Sequence, residues 1–351
     1  MNLNQYLELD PYCLKSEIKK RYFFSILNQL TIKHYKNSKN YKKLLNVLNY
    51  KKVKKIEELP FIPTDIFKKF EINSISKSET VKILKSSGTS GNPSKIFLDK
   101  INAHNQRKIL GKIVADIIGK NRLPMLIIDK NVFKKTQKSF NARIAAINGF
   151  SIFGKELLFL LKDNGEIDYE NLNKFIEKNS SEQIFIFGFT SLIYENLIEK
   201  LDCKRLNKKI NNSILIHGGG WKKMEKRKIK NLNFKTSLYE KLGIKKIHNY
   251  YGLVEQTGSI FFDCEKCGCF ITSIFSEVII RDNNFKVAKD GESGIIQLLS
   301  VLPTSYPGHN ILTEDEGKIV NSSECICSSK GKRFIVLGRN KESEIRGCSD
   351  A

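Results

Sequence analysis

Short apolar segments alternate with longer amphipathic ones between Val81 and Leu242, and this alternation constrains the fold more than any other feature. The short segments predict strands at Val81–Leu84, Met125–Asp129, Ile184–Phe187 and Ile214–His217. The periodicity between them predicts helices near residues 102–119, 138–148, 168–178, 190–201 and 222–231. Such alternation is typical of an α/β fold with layered sheets, in which ligands bind at the carboxyl ends of the strands.

The sequence on either side of this region has a different pattern. The residues before it show helical periodicity, which Pro60 and Pro63 interrupt, so an extended segment is predicted there. After Tyr250, short strands follow one another between turns. The sequence therefore predicts three segments: a helical N-terminal subdomain over 1–80, an α/β core over 81–250, and a β-rich subdomain with a hinge-like C-terminal tail over 251–351.

The composition predicts a globular protein. Of 351 residues, 40% are hydrophobic and 28% are charged, which allows a substantial core and argues against a disordered or collagen-like chain. The longest apolar stretches, such as Leu157–Leu161 and Ile184–Phe189, are much shorter than the roughly 18 residues of a membrane-spanning helix. The N-terminus carries early acidic residues and no apolar core of a signal peptide, so a cytoplasmic location is expected.

The formal charge of +23 raises the hypothesis of nucleic-acid binding. Lysines are spread along the whole chain, and aromatic residues do not interleave with the basic runs as a base-stacking surface requires. The charge therefore favours an anionic ligand or an acidic partner, and no nucleic-acid partner is expected. The alternative, a basic zinc-containing nucleic-acid-binding protein, would bind DNA or RNA in a salt-dependent way.

The strongest local motif is SSGTSGNPSK, Ser86 to Lys95, which we call the hydroxyl loop. Its glycines let the backbone approach an anion, its hydroxyls can donate to phosphate oxygens, and Lys95 adds a positive charge. The spacing fits neither a Walker A loop nor a Rossmann glycine turn. Taken alone, the motif is equally consistent with a phosphate site and with a flexible turn.

Five motifs together resemble the adenylate-forming superfamily, in which the hydroxyl loop holds the β- and γ-phosphates of ATP. The other four follow in the superfamily's order and are IHGGGW at Ile216–Trp221, YYGLVEQTG at Tyr250–Gly258, TEDEG at Thr313–Gly317 and LGR at Leu337–Arg339. With ELPFIPTDIFK, LPTSYPG and the C-terminal RGCSDA, the chain is most similar to the acyl-protein synthetases, a family of fatty-acid-activating ligases. The expected fold is the large domain of an acyl-CoA synthetase-like enzyme, without the lid domain.

The resemblance implies attack of a carboxylate on the α-phosphate of ATP, which gives an acyl-adenylate and pyrophosphate. Such chemistry depends mainly on positioning and charge stabilisation. The implied phosphate-binding residues are Ser86, Ser87, Gly88, Thr89, Ser90, Gly91 and Lys95. The resemblance also implies that Glu255 binds Mg²⁺ and that Asp315 and Arg339 bind the ribose. The residues implied to border the base are Gly218, Gly219, Gly220, Tyr251 and Gly252. From the residues alone, Glu255 is equally consistent with a surface carboxylate and Asp315 with a turn residue.

The resemblance leaves the catalytic cation and the acyl acceptor open. The lid lysine of other superfamily members is missing, and Lys95 and Lys341 are the candidates to replace it. In acyl-protein synthetases a C-terminal cysteine takes the acyl group and passes it to a partner, which implies this role for Cys348. The partner would be an acyl-accepting protein, a carrier or a reductase. The alternatives are an inert tail thiol, or transfer to coenzyme A or a carrier as in phenylacetate-CoA ligases.

Two further sets of residues complete the sequence-based predictions. Gly188, Phe189 and Thr190 follow a predicted strand and are candidate walls for an apolar acyl chain. The family resemblance implies a fatty acid as the favoured substrate, whereas the residues alone leave an aromatic or sugar-linked acid open. Without a signal peptide, the eight cysteines predict reduced thiols or metal ligands. A structural Zn²⁺ site is predicted at Cys264, Cys267, Cys325 and Cys327, and the alternative is a set of small buried hydrophobic residues.

Overall fold

The computed structural model describes residues 1–86, 93–133, 142–221, 229–321 and 331–339. These residues form two compact units. The first unit contains the described residues up to Val114 and those from Gly252 onward, and the second contains those from Ala115 to Tyr251. Each unit is described by itself.

The described chain contains helices and strands in an α/β arrangement. The helices are α1 (Leu3–Leu7), α2 (Ser16–Asn37), α3 (Lys39–Val47), α4 (Ile66–Lys69), α5 (Lys100–Ile118), α6 (Ala142–Ser151), α7 (Tyr169–Lys178), α8 (Thr190–Ile193) and α9 (Asn231–Leu242). The strands are β1 (Ile62–Pro63), β2 (Lys82–Lys85), β3 (Lys95–Leu98), β4 (Leu123–Lys130), β5 (Gly154–Leu161), β6 (Ile184–Phe189), β7 (Ser213–Gly218), β8 (Lys246–Tyr251), β9 (Phe261–Phe262), β10 (Phe270–Ile271), β11 (Ser276–Arg281), β12 (Ser293–Ser300), β13 (Asn310–Val320) and β14 (Arg333–Arg339). The predicted α/β class and strand-rich C-terminal part are confirmed.

The first unit is built on an antiparallel sheet with the strand order β10-β14-β13-β12-β11. Strand β1 pairs in parallel with β13, and Ile62 lies opposite Ile311. The proline-interrupted segment is therefore extended, as predicted. Helix α2 buries Phe23, Ile26 and Leu27, which recur at helical spacing. A separate antiparallel hairpin, β2–β3, flanks the hydroxyl loop.

The second unit is built on parallel strands in the order β5-β4-β6-β7-β8. Every residue of β6 and β7 is buried, as expected of parallel strands covered on both faces. Fully buried side chains such as Phe187 and Leu215 each contribute about 1.5–3 kcal/mol of hydrophobic free energy. This sheet brings the carboxyl ends of β6, β7 and β8 to one edge, where the second group of predicted site residues lies.

The predicted elements of the second unit agree with the structure with four exceptions. Strands β5 and β8 were not predicted, and β5 is a partly exposed strand without clear alternation. The helix predicted over 190–201 is a short α8 followed by a π-helix at Tyr194–Lys200. Most of the helix predicted at 222–231 lies outside the described residues, and α9 begins at Asn231 and ends before Gly243, whose φ of +73° suits a glycine C-cap.

Among the helices that the structure describes, none combines the length and apolar character needed to cross a membrane. The division at residues 80 and 250 stays a prediction.

Candidate active site

The predicted site residues fall into two groups, one in each unit. The first unit contains Ser86, Lys95, Gly252, Glu255, Asp315 and Arg339. The second unit contains Gly188, Phe189, Thr190, Gly218, Gly219, Gly220 and Tyr251. Nine predicted residues lie outside the described part of the chain: Ser87, Gly88, Thr89, Ser90, Gly91, Cys325, Cys327, Lys341 and Cys348.

The two ends of the hydroxyl loop are joined by hydrogen bonds. The Ser86 N–H donates to the Ser94 carbonyl at 3.1 Å, and the Ser94 N–H donates to the Ser86 Oγ at 2.8 Å. The flanking strands end at the same register, with Lys85 opposite Lys95. The loop is therefore closed at its base by Ser86 and Ser94.

Glu255 lies beside this base, on the 3₁₀ turn Val254–Gln256. Its side chain is buried, and burial raises the pKa of its carboxyl above the ordinary value. The Ser94 hydroxyl and the Lys68 ammonium act in the opposite direction, because both favour the charged carboxylate. By strict hydrogen-bond geometry the buried Ser94 Oγ has no partner among the described residues, so its contact with Glu255 is a close approach and not a formed bond. A buried carboxylate and a neighbouring hydroxyl are hard oxygen donors of the kind that Mg²⁺ binds.

Lys68 is a further candidate site residue that the sequence-based assignment did not include, and its charge acts on Glu255. Its ammonium lies 2.6 Å from Glu314 Oε1 and 3.3 Å from Asp65 Oδ1, and the side chain is largely buried. Glu314 also pairs with Arg339, whose Nη1 lies 3.4 Å from Glu314 Oε2. The PTDIFK segment that contains Lys68 was among the residues that carried the family resemblance, and this was the available signal.

Asp315 and Arg339 are direct cross-strand partners in the antiparallel pair β13–β14. The Arg339 Nε lies 3.8 Å from Asp315 Oδ1, and both side chains are partly buried. The Asp315 N–H donates to Thr313 Oγ1 at 3.1 Å, which fixes the backbone of the TEDEG segment. Two residues of separate motifs, predicted to share one ligand group, are therefore neighbours.

Lys95 forms an ion pair with Glu71, with 3.3 Å between Nζ and Oε1. About half of each side chain is exposed, at 46% and 54%. Exposed pairs of this kind contribute about 0–1 kcal/mol to stability. The Lys95 ammonium is thus free to exchange Glu71 for a more highly charged anion.

In the second unit, the predicted acyl-chain residues at the end of β6 lie beside the predicted base-binding glycines at the end of β7. Phe189 is the register partner of Gly218. The Thr190 hydroxyl donates to the Gly218 carbonyl at 3.1 Å and lies 2.9 Å from His217 Nδ1. Since the hydroxyl proton is used on Gly218, His217 Nδ1–H is assigned as the donor to Thr190. Burial lowers the pKa of His217 to about 3, so the ring is neutral.

The close packing around the end of β7 requires glycine at Gly218 and Gly219. Gly219 has a φ of +83°, and a Cβ at this position would lie 2.8 Å from the Phe189 ring. A Cβ on Gly218 would lie 2.6 Å from the ring of Tyr250 on the neighbouring strand. The turn can therefore pass close to aromatic rings only because side chains are missing.

The zinc prediction receives no support from the described residues. Cys264 and Cys267 lie on a tight turn in which the Cys264 N–H donates to the Cys269 carbonyl at 2.8 Å. No group of three or more His, Cys, Asp or Glu side chains in the described ranges is arranged to hold a metal ion. Cys325 and Cys327, the other two predicted ligands, lie outside those ranges.

A family model, described as acyl-protein synthetase LuxE, matches residues 4–351. The chain belongs to the LuxE acyl-protein synthetase family. Among curated proteins, this LuxE-family chain is similar to a long-chain-fatty-acid–luciferin-component ligase of Aliivibrio fischeri, at 24% identity over 83% of this chain and 77% of the relative. A protein of the same name from Vibrio harveyi is 23% identical over 83% of this chain and 76% of the relative.

The LuxE-family chain is also similar to solved adenylate-forming ligases. An open conformation of 2-hydroxyisobutyryl-CoA ligase, in complex with 2-HIB-AMP and CoA, matches with a TM-score of 0.71 at 13% identity, over 95% of this chain and 78% of that one. At this identity the likeness shows the fold alone. Family and fold confirm the predicted resemblance and the predicted class of enzyme, an adenylate-forming ligase, and they support acyl-adenylate formation followed by acyl transfer.

Proposed function

We propose that this LuxE-family enzyme activates a fatty acid with ATP and transfers the acyl group to a thiol. In the first step a carboxylate oxygen attacks the α-phosphorus, the bond between this phosphorus and the α,β-bridging oxygen breaks, and pyrophosphate leaves. In the second step a thiolate attacks the acyl carbon and AMP leaves with the carboxylate oxygen. The protein supplies position and charge to both steps.

The observation that carries this proposal is the proximity of Glu255 to the base of the hydroxyl loop. Ser94 is hydrogen-bonded to Ser86 at the base of the loop. The Ser94 hydroxyl also approaches the buried Glu255 carboxyl. The residues fit Mg²⁺, because Glu255 offers a carboxylate whose burial favours pairing with a cation. Bound Mg²⁺ would neutralise charge on the phosphates, while the hydroxyl loop and Lys95 would hold the leaving pyrophosphate.

The other motifs have distinct proposed roles. The Asp315 carboxylate would accept hydrogen bonds from the ribose hydroxyls, and Arg339 would hold Asp315 in place. Gly218, Gly219 and Gly220 with Tyr251 and Gly252 would border the base. Gly188, Phe189 and Thr190 would border the acyl chain.

A fatty acid is favoured because both curated relatives are named as long-chain-fatty-acid ligases. The buried aromatic side chain of Phe189, at the end of β6, is compatible with an apolar substrate. We assign the acyl acceptor to Cys348, from which a partner protein would receive the acyl group. Coenzyme A or a carrier thiol is the competing acceptor.

The test is ATP–pyrophosphate exchange with a panel of carboxylic acids of increasing chain length, followed by labelling with the best radioactive acid. We expect acid-dependent exchange in wild type, and covalent label that is lost in Cys348→Ala while exchange persists. Cys203→Ala is the control, because Cys203 is an exposed thiol that is not among the predicted site residues. If none of the acids supported ATP–pyrophosphate exchange, the proposed activation of a carboxylic acid would be contradicted. Label that persists in Cys348→Ala, or that moves to added coenzyme A, would contradict the assigned acceptor.

A further inference from the structure

The segment between β12 and β13, LPTSYPGH at 302–309, is entirely buried. It contacts the turn that carries Glu255. Tyr306 in this segment is fully buried. Its hydroxyl donates to the backbone carbonyl of Glu255 at 2.8 Å. The contact joins residues far apart in sequence, and no role is assigned to Tyr306 from the LPTSYPG motif that contains it.

Gln256, the next residue of the same turn, is also held by hydrogen bonds. The Gln256 side-chain amide donates to the Gly308 carbonyl at 2.8 Å and to the Leu298 carbonyl at 2.9 Å. A Cβ on Gly308 would lie 2.6 Å from the Glu255 carbonyl oxygen and 2.2 Å from the Tyr306 ring. The segment therefore lies against the Glu255 backbone with no space for another atom.

Tyr306 is itself held by its neighbours. Its ring packs edge-on against Phe67 at 6.3 Å between centroids, and Phe67 immediately precedes Lys68. Burial raises the pKa of Tyr306, the Glu255 charge raises it further, and the Gln106 side chain acts in the opposite direction. The hydroxyl thus stays protonated at neutral pH and remains a donor to the Glu255 carbonyl.

We propose that Tyr306 is a positioning residue, which fixes the Glu255 backbone and thereby aims the Glu255 carboxylate at the metal–nucleotide complex. The inference rests on the metal-binding role proposed for Glu255. On a turn of three residues, the backbone dihedral angles decide where the side chain lies. A carbonyl without its partner is also costly when buried, so the turn would rotate to find another donor. A displacement of about 1 Å at a reacting centre can reduce rates about 100-fold.

The test compares Tyr306→Phe with Tyr6→Phe, which removes the same kind of bond elsewhere. Tyr6 is fully buried, and its hydroxyl donates to the Ile274 carbonyl at 2.7 Å. The measurements are thermal unfolding and the binding of Mn²⁺ in the presence of ATP, followed by electron paramagnetic resonance. We expect both variants to lose similar stability, about 1–2 kcal/mol. Only Tyr306→Phe should weaken Mn²⁺ binding, by about tenfold.

Equal Mn²⁺ binding by the two variants would overturn the inference. Glu255→Gln serves to separate the inference from the function on which it rests. If Glu255→Gln binds Mn²⁺ as wild type does, the metal role of Glu255 is wrong and the inference fails with it. If only Tyr306→Phe matches wild type, the inference alone fails. Should Tyr306→Phe not fold, Gly308→Ala displaces the Glu255 carbonyl instead, and unchanged Mn²⁺ binding in that variant would also overturn the inference.

Discussion

Asp315 and Arg339 lie directly opposite each other across β13 and β14, with 3.8 Å between Oδ1 and Nε. Arg339 also reaches Glu314, which in turn pairs with Lys68. Glu314 therefore lies between the Lys68 and Arg339 cations, and Asp315 lies beside Arg339. A carboxylate is a hydrogen-bond acceptor of the kind that the ribose hydroxyls need.

Asp315→Ala should weaken recognition of the ribose. The loss of a hydrogen bond to a charged group costs about 1.5–3 kcal/mol, so we expect the KM for ATP to rise about 10- to 100-fold. The ratio of KM values for ATP and 2′-deoxy-ATP should move towards one. Steady-state pyrophosphate exchange measures both. Glu316→Gln, on the next residue of β13, is the control and should keep the wild-type ratio. An unchanged ratio in Asp315→Ala would exclude a ribose contact.

Glu255→Gln should stabilise the nucleotide-free protein at neutral pH. Burial raises the pKa of Glu255, so the folded chain holds a proton that the unfolded chain releases at the same pH. The stability due to this group is present below the ordinary pKa and is lost as the pH rises through the raised one. Thermal unfolding should therefore show a higher Tm for Glu255→Gln than for wild type at about pH 8, and a smaller difference at about pH 5. A difference that grows on acidification would contradict the burial argument.

Lys95 and Glu71 should have opposite effects on ATP binding. Lys95→Met removes a cation from the hydroxyl loop, and we expect the KM for ATP to rise about tenfold. Glu71→Gln removes the carboxylate that competes for Lys95, so the KM should fall by about two- to threefold. Both effects should shrink at high salt, because the pair is exposed. A rise in KM for Glu71→Gln would show that the ion pair supports ATP binding and does not compete with it.

His34 should make the fold sensitive to acid. Its Nδ1 lies 2.8 Å from Ser74 Oγ, its Nε2 lies 3.1 Å from the Pro303 carbonyl, and its ring stacks on His309. Burial, with a smaller contribution from nearby Lys33, lowers the pKa of His34 to about 3, although the hydrogen bond to the Pro303 carbonyl acts in the opposite direction. The unfolded chain has a histidine pKa of about 6.5, so stability is complete above that value and is lost as the pH falls towards the folded value.

Urea unfolding across this pH range tests the histidine prediction. His34→Gln should be less stable than wild type at neutral pH by about 1–3 kcal/mol, because a buried hydrogen-bonded group is replaced. Its stability should fall less steeply on acidification. The exposed His104 offers the control variant His104→Gln, which should follow wild type. A parallel loss of stability in His34→Gln and wild type would exclude His34 as the acid-sensitive group.

The sequence predicted the buried strands well because their apolar segments are continuous. Ile184–Phe187 and Ile214–His217 were predicted, and the observed strands β6 and β7 are each two residues longer. Strand β5 was missed because its residues are only partly buried and mix charged with apolar side chains. The extent of α8 was also overestimated, since the local pattern does not distinguish an α-helix from a π-helix.

The candidate site was predictable where a motif contained the residue. Asp315, Arg339 and Glu255 belong to ordered motifs, and the register of β13 and β14 joins two of them. Lys68 and Tyr306 could not be assigned from the sequence. The Lys68 charge acts on Glu255, about 190 positions away, and Tyr306 donates a hydrogen bond to the same residue, about 50 positions away. Both lie in segments that carried the family resemblance, but a resemblance does not say which side chain faces the site.

The most direct test of the account is a calorimetric titration of wild type, Glu255→Gln and Glu316→Gln with ATP, with and without Mg²⁺. The account places the triphosphate at the hydroxyl loop and its cation on Glu255. It predicts saturable binding to wild type and Glu316→Gln that strengthens with Mg²⁺, and binding to Glu255→Gln that is at least about tenfold weaker when Mg²⁺ is present. Absence of ATP binding to wild type, or equal Mg²⁺ enhancement in all three proteins, would contradict it.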